Sequence, residues 1–187
     1  FSVSPNILKI TFTAQYNFEP IHCYKHKYKF KSIETDFNSW KCVLLGIDTL
    51  IMLFLTIFIH SLIIGFMIFF MSIVTPTVFK SLDEQQAGKF LRIIFPRMFI
   101  YGFILSLLAS LSALFAELSM YWSLSLITAF LFLINAYIIT PRINTYRDLQ
   151  LSGDENAVKM FKALHFFSVL IFIIQLLISI FLIISYL

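Results

Sequence analysis

Four long apolar runs constrain this chain more than any other feature of its sequence. They cover about residues 50–74, 95–116, 120–140 and 161–186, broken only by small hydroxyl residues and single polar residues such as His60, Arg97, Asn135 and Gln175. A hydrocarbon core about 30 Å thick is crossed by about 20 helical residues, so each run is long enough to span it. The reading is an all-α polytopic membrane protein, a four-transmembrane-helix bundle. Composition agrees: 59% of residues are hydrophobic and only 13% are charged, against about 25% charged in soluble domains. An ordinary soluble domain is excluded. The 23 phenylalanines are what an AT-rich genome supplies at positions that need only be apolar, so they do not point to an aromatic ligand site.

The connections between runs are read next. Only Glu117, Leu118 and Ser119 separate the second and third spans, which predicts a tight antiparallel hairpin. Between the first and second, Phe79, Leu82, Phe90, Leu91 and Ile94 form an apolar stripe opposite Lys80, Asp83, Glu84, Lys89 and Arg92. That pattern predicts an interfacial amphipathic helix after the first span, with Pro96 marking the turn into the second. Pro76 and Pro141 are each expected to close a span, because proline cannot donate to the preceding turn. Gly65, Gly102, Ser106, Ala109, Ser110 and Ala113 are small enough to let helices approach closely.

Residues 1–45 read as a polar N-terminal tail and residues 46–187 as the membrane domain. The tail lacks the apolar stretch of a secretory signal and is expected to be retained, as a docking arm. Within it, His22, Cys23 and His26 supply three potential metal ligands where a structural zinc site wants four, so no metal site is assigned. Cys23 and Cys42 can pair only in an oxidising compartment. The net charge of +4 comes from basic residues flanking the apolar runs, which fits membrane topology and excludes nucleic acid as a partner. Lys80, Lys89, Arg92 and Arg97 lie in the first connection, and Arg142, Arg147, Lys159 and Lys162 in the third. By the positive-inside rule these two connections face the cytoplasm or its organellar equivalent.

Polar residues at membrane depth are the candidates for function. His60 lies near the middle of the first span. Asp48, twelve residues earlier, is about 18 Å away along a helix and cannot pair with it. Asn135, Arg142, Asn144, Arg147, Asp148 and His165 gather where the third span ends and the fourth begins. With Arg92 and Arg97 they can form a polar cluster at the cytoplasmic face. Such a cluster either holds a lipid headgroup or small anion through its arginines, or caps helix ends and locks the two connections together; the second is preferred. Gln175 reads as interhelical glue. No phosphate loop, nucleophile with a base or set of metal or haem ligands is present, so neither catalysis nor a cofactor is expected.

Several of these residues also carry a family resemblance. Gly65, then Pro76 with Phe79 and Leu82, Ala87-Gly88-Lys89-Phe90 and Phe95-Pro96 come first, followed by Pro141-Arg142-Ile143-Asn144, Arg147-Asp148, Asp154, Ala157, Phe161 and Leu164-His165 with Ser168. Over about residues 45–187 this pattern resembles the transmembrane protein 205-like family of small four-span membrane proteins. It departs at Phe172, where a polar residue would stand one turn beyond Ser168. The resemblance implies topology more than mechanism. Together with the residues it leads to a non-catalytic integral membrane protein, a small structural or accessory subunit of a larger complex, in contact with lipids and other membrane subunits. The alternative is a small transporter or channel with His60 and the polar cluster lining its path. An AT-rich organism's bacterial inner membrane or organellar membrane is the expected location.

Overall fold

A computed structural model describes residues 35–186, with side chains from residue 46 onward. The readings on the tail, the His22–His26 cluster and the Cys23–Cys42 pair fall outside the described side chains. The chain forms α1 (Thr35–Phe69), α2 (Thr75–Ser81), α3 (Glu84–Phe115), α4 (Ser119–Ile134), α5 (Thr140–Leu151) and α6 (Glu155–Ile184). There is no strand among the described residues. Two π-helical turns, Phe70–Val74 and Asn135–Ile139, join α1 to α2 and α4 to α5 without a break. The result is four continuous helices, Gly46–Ser81, Glu84–Phe115, Ser119–Leu151 and Glu155–Ile184, each long and apolar enough to cross a membrane. The protein is an integral membrane protein of four helical spans.

Each helix outlasts its apolar run, and two expectations are corrected by the reason. Pro76 and Pro141 do not close their spans. An interior proline removes one backbone donor and pushes its ring against the carbonyl four residues back. The π turn admits one extra residue, which moves that carbonyl aside and lets the helix continue. Both turns close on the threonine just before the proline: the Thr75 N–H donates to the Phe70 carbonyl and the Thr140 N–H to that of Asn135. The Thr75 hydroxyl donates to the same Phe70 oxygen at 3.1 Å. The two halves thus share one local design: a span, a π turn, Thr-Pro and a helical extension. An Asp-Glu start then opens the next span.

That start corrects the separate interfacial helix. Asp83 is extended at φ −66°, ψ 165°, and its carboxylate accepts the Gln86 N–H at 2.8 Å. This caps a helix that runs unbroken from Glu84 through Pro96 to Phe115. Residues 77–94 are therefore the end of the first long helix and the first turns of the second. In the other half Asp154 accepts from the Asn156 and Ala157 N–H groups. Gly153 at φ 97° ends α5 before it, where only glycine is unstrained.

The expected tight hairpin is present. Leu118 N–H donates to Ala113 C=O and Glu117 N–H to Leu114 C=O, both at 3.0 Å, with Glu117 at φ 58°. This paired closure turns the chain within three residues.

Packing follows the small-residue face of α3. Gly102, Ser106, Ala109, Ser110 and Ala113 are all buried. A Cβ on Gly102 would lie 2.6 Å from the Phe132 ring, so this ring sits directly on the α3 backbone. Phe132 is fully buried and neighbours Phe66 and Phe99, with ring centroids 6.2 and 6.5 Å away. Gly65 does not share this role: it is exposed, and a Cβ there meets nothing within 4 Å. It faces outward on α1, between the buried Ile63 and Met67.

The Ser106 hydroxyl is fully buried without a hydrogen-bond partner. A buried unsatisfied donor costs about 1–3 kcal/mol. Ser106→Ala is therefore expected to leave the thermal midpoint of the purified protein in detergent unchanged or to raise it. A clear fall would mean that the hydroxyl is bonded.

Candidate functional site

The described residues hold two polar centres, one in the middle of the bundle and one at the end bearing the Thr-Pro extensions. The first is built on His60, which α1 presents to α4 and α6. Its Nε2 lies 2.9 Å from Ser125 Oγ and its Nδ1 lies 3.1 Å from Ser179 Oγ. Ser125 donates its one proton to the Tyr121 carbonyl at 2.7 Å, so it accepts from an Nε2–H. The neutral ring's Nδ1 then accepts from the Ser179 hydroxyl. Every polar atom of the trio is satisfied, and all three residues are fully buried. Gln175 lies one turn from Ser179 and donates to the Thr128 carbonyl at 3.2 Å, acting as interhelical glue. Asp48 is exposed on α1, away from His60.

The sequence singled out His60 without its partners. A signal for them existed: Ser125 with Thr128 on one helix, and Gln175 with Ser179 on another, are polar pairs spaced three and four residues apart inside apolar runs. That spacing puts each pair on one helix face.

At the Thr-Pro end, two ion pairs tie the start of α3 to α5. Arg92 grips both carboxylate oxygens of Asp148, with Nη1 to Oδ2 at 3.1 Å. Arg147 donates to Glu84 and, at 3.1 Å, to Gln150 Oε1. The Arg147 guanidinium also lies over the Phe161 ring, 5.5 Å from its centroid, and Phe161 stacks on His165 at 6.1 Å and 10°. The carboxylates are largely exposed. Pairs so exposed to solvent add little to stability; what they do is tie the start of α3 to α5.

The expected cluster is thus assembled in part. Arg92, Asn144, Arg147 and His165 line one cavity, and Asp148 reaches them through Arg92. Asn135 does not join: it is fully buried, and its amide donates to the Ser168 carbonyl at 3.4 Å. Its placement follows from the second π turn, which starts at this residue. Arg97 and Arg142 form no ion pair among the described residues. Glu84, which sequence reading placed only on a polar stripe, proves to be the partner of Arg147; its position in the first turn after the Asp83 cap is what brings it there.

The cavity has a volume of about 740 Å³, within the usual range for small-molecule sites. Its walls are apolar and largely aromatic, including Phe70, Phe79, Phe95, Met98, Phe99 and Phe172. A second cavity of about 480 Å³ is lined by Gln85, Lys89 and Asp148. Glu84, Gly88, Arg92 and Arg147 line both. The ion pairs therefore form a partition with an apolar chamber on one face and a polar hollow on the other. Among the described residues no group of three or more histidine, cysteine, aspartate or glutamate side chains is placed to hold a metal ion.

Comparison with curated proteins and with solved structures returns no match. The family comparison does: it takes in His60, both π turns and all four partners of the ion-paired partition, but stops short of α6. Residues 58–150 match the sequence profile of an uncharacterised family described as "Domain of unknown function (DUF4149)".

Proposed function

We propose that this protein is a non-catalytic membrane subunit, a small structural or accessory component of a larger membrane complex in contact with lipids and other membrane proteins. The observation that carries this reading is the enclosure of His60. A route for a solute needs polar groups turned toward water, whereas His60, the one ionisable group at the centre of this bundle among the described residues, is turned toward Ser125 and Ser179 and fully buried with them. Kinship with the transmembrane protein 205-like family belongs to this reading and is supported by the shared four-span pattern. So does a place in a bacterial inner membrane or an organellar membrane.

Extraction from the native membrane in mild detergent, followed by native mass and identification of co-purifying chains, tests the proposal. A defined larger assembly is expected. A solitary chain or homo-oligomer would overturn it and favour the other reading, a small transporter with His60 and the polar cluster on its path. In that case a His60→Leu variant that inserts normally should lose flux.

A further inference from the structure

The apolar chamber beneath the ion-paired partition has the makings of a ligand site independent of any partner complex. Three features decide what it accepts. The walls are hydrocarbon and aromatic over most of their area, so the bulk of an occupant is an apolar chain or ring system. The charged residues at its rim are already matched: the Arg92 guanidinium is held by Asp148 and that of Arg147 by Glu84. An anionic head would have to displace a carboxylate, and a cationic head would meet two guanidinium groups. Beside the hydroxyls of Thr140 and Ser168, two larger polar side chains of the lining remain available. Asn144 has no hydrogen-bond partner among the described residues, and His165 has only its ring stack on Phe161. Each supplies both a donor and an acceptor to a hydroxyl or carbonyl.

We propose that this chamber binds an uncharged amphiphile, a long apolar chain bearing a hydroxyl or carbonyl head. The chain lies among Phe95, Met98, Phe99 and Phe172, and the head is held by Asn144 and His165 beneath the ion pairs. Arg92 and Arg147 act here as a neutral roof and not as anion receptors. Gly88 gives a means of closing the site without disturbing the fold. It lines the chamber and the hollow beyond, and a Cβ at this position meets nothing within 4 Å. A leucine there has room to point into open space.

The test uses the full chain in phosphatidylcholine nanodiscs with a photoreactive diazirine analogue of an eighteen-carbon alcohol, its attachment sites mapped by peptide mass spectrometry. Labelling is expected to concentrate on α3 and α6 residues of the chamber. Unlabelled oleyl alcohol should compete for it at least tenfold better than oleate or oleylamine of the same chain length. Gly88→Leu should abolish chamber labelling while the thermal midpoint is unchanged. If Gly88→Leu fails to fold, the pair Asn144→Leu and His165→Leu takes its place, each expected to reduce labelling at least fivefold. Equal competition by oleate would overturn the neutral-head assignment. Labelling spread evenly over the lipid-facing residues, and insensitive to these substitutions, would show only bulk lipid and overturn the site itself.

Discussion

Replacing His60 by alanine is expected to destabilise the bundle by about 2–4 kcal/mol, chiefly through the cavity it opens. The two serine contacts contribute less. Interhelical hydrogen bonds in membranes average about 0.6 kcal/mol each, so losing both removes about 1 kcal/mol. The hydroxyl of Ser125 also keeps its bond to the Tyr121 carbonyl when the ring is gone. His60→Leu, which nearly conserves volume, should therefore lose only about 1 kcal/mol. Unfolding in sodium dodecyl sulfate, followed by far-ultraviolet circular dichroism, measures both variants. Equal losses would show that the polar contacts, not packing, hold the three helices at this level.

Gly102→Leu is expected to have the largest effect of any single change in α3. Even the Cβ of an alanine would lie 2.6 Å from two atoms of the Phe132 ring and 2.8 Å from a third. That ring is fully buried, with Phe66 and Phe99 as neighbours, so it has little room to swing away. Overpacking of this kind costs about 1–3 kcal/mol, and more for a larger side chain. Alanine's better helix preference, about 1 kcal/mol over glycine, offsets part of the cost in Gly102→Ala. Leucine gains nearly the same helix preference, but its larger side chain cannot fit against the ring and should prevent the second and third spans from closing on each other. Phe132→Leu makes room, so in its background Gly102→Ala should lose at least 0.5 kcal/mol less than in the parent, the coupling expected of residues in contact. Simple additivity in the same unfolding measurement would show that the two do not touch.

What the sequence made legible and what it hid separate along physical lines. The four spans could be read because the bilayer imposes a length and an apolar composition on each, whatever surrounds it. The hairpin at Glu117 could be read because three residues leave no other geometry. The helix ends were hidden. Pro76 and Pro141 look like terminators, and nothing in the residues before them announces a π turn that accommodates the ring. The apparent interfacial stripe around Phe79 and Phe90 was likewise real as a pattern yet divided between two helices by the Asp83 cap. In the candidate site, His60 and the gathering of Arg92, Asn144, Arg147, Asp148 and His165 at one end were legible from residue type and region, though not which of them pair. The serines that enclose His60, and Glu84 as the partner of Arg147, depend on which helices neighbour one another, a matter of three-dimensional packing. Gly65 and Gly102 make the same point: both are glycines within apolar spans, and only Gly102 has a neighbour pressed against it.

The Thr-Pro extensions have a consequence for how the molecule enters its membrane. Because the helices run on past their apolar portions, Arg92, Arg97, Arg142 and Arg147 are all carried at one end of the bundle, while the opposite end of the second and third spans is a three-residue turn. Drawing a single arginine through the hydrocarbon centre costs about 2.5–3.5 kcal/mol even on insertion scales. Turning the bundle over would move four of them, on the order of 10 kcal/mol, along with the acids they hold. A bundle once inserted therefore keeps its sidedness.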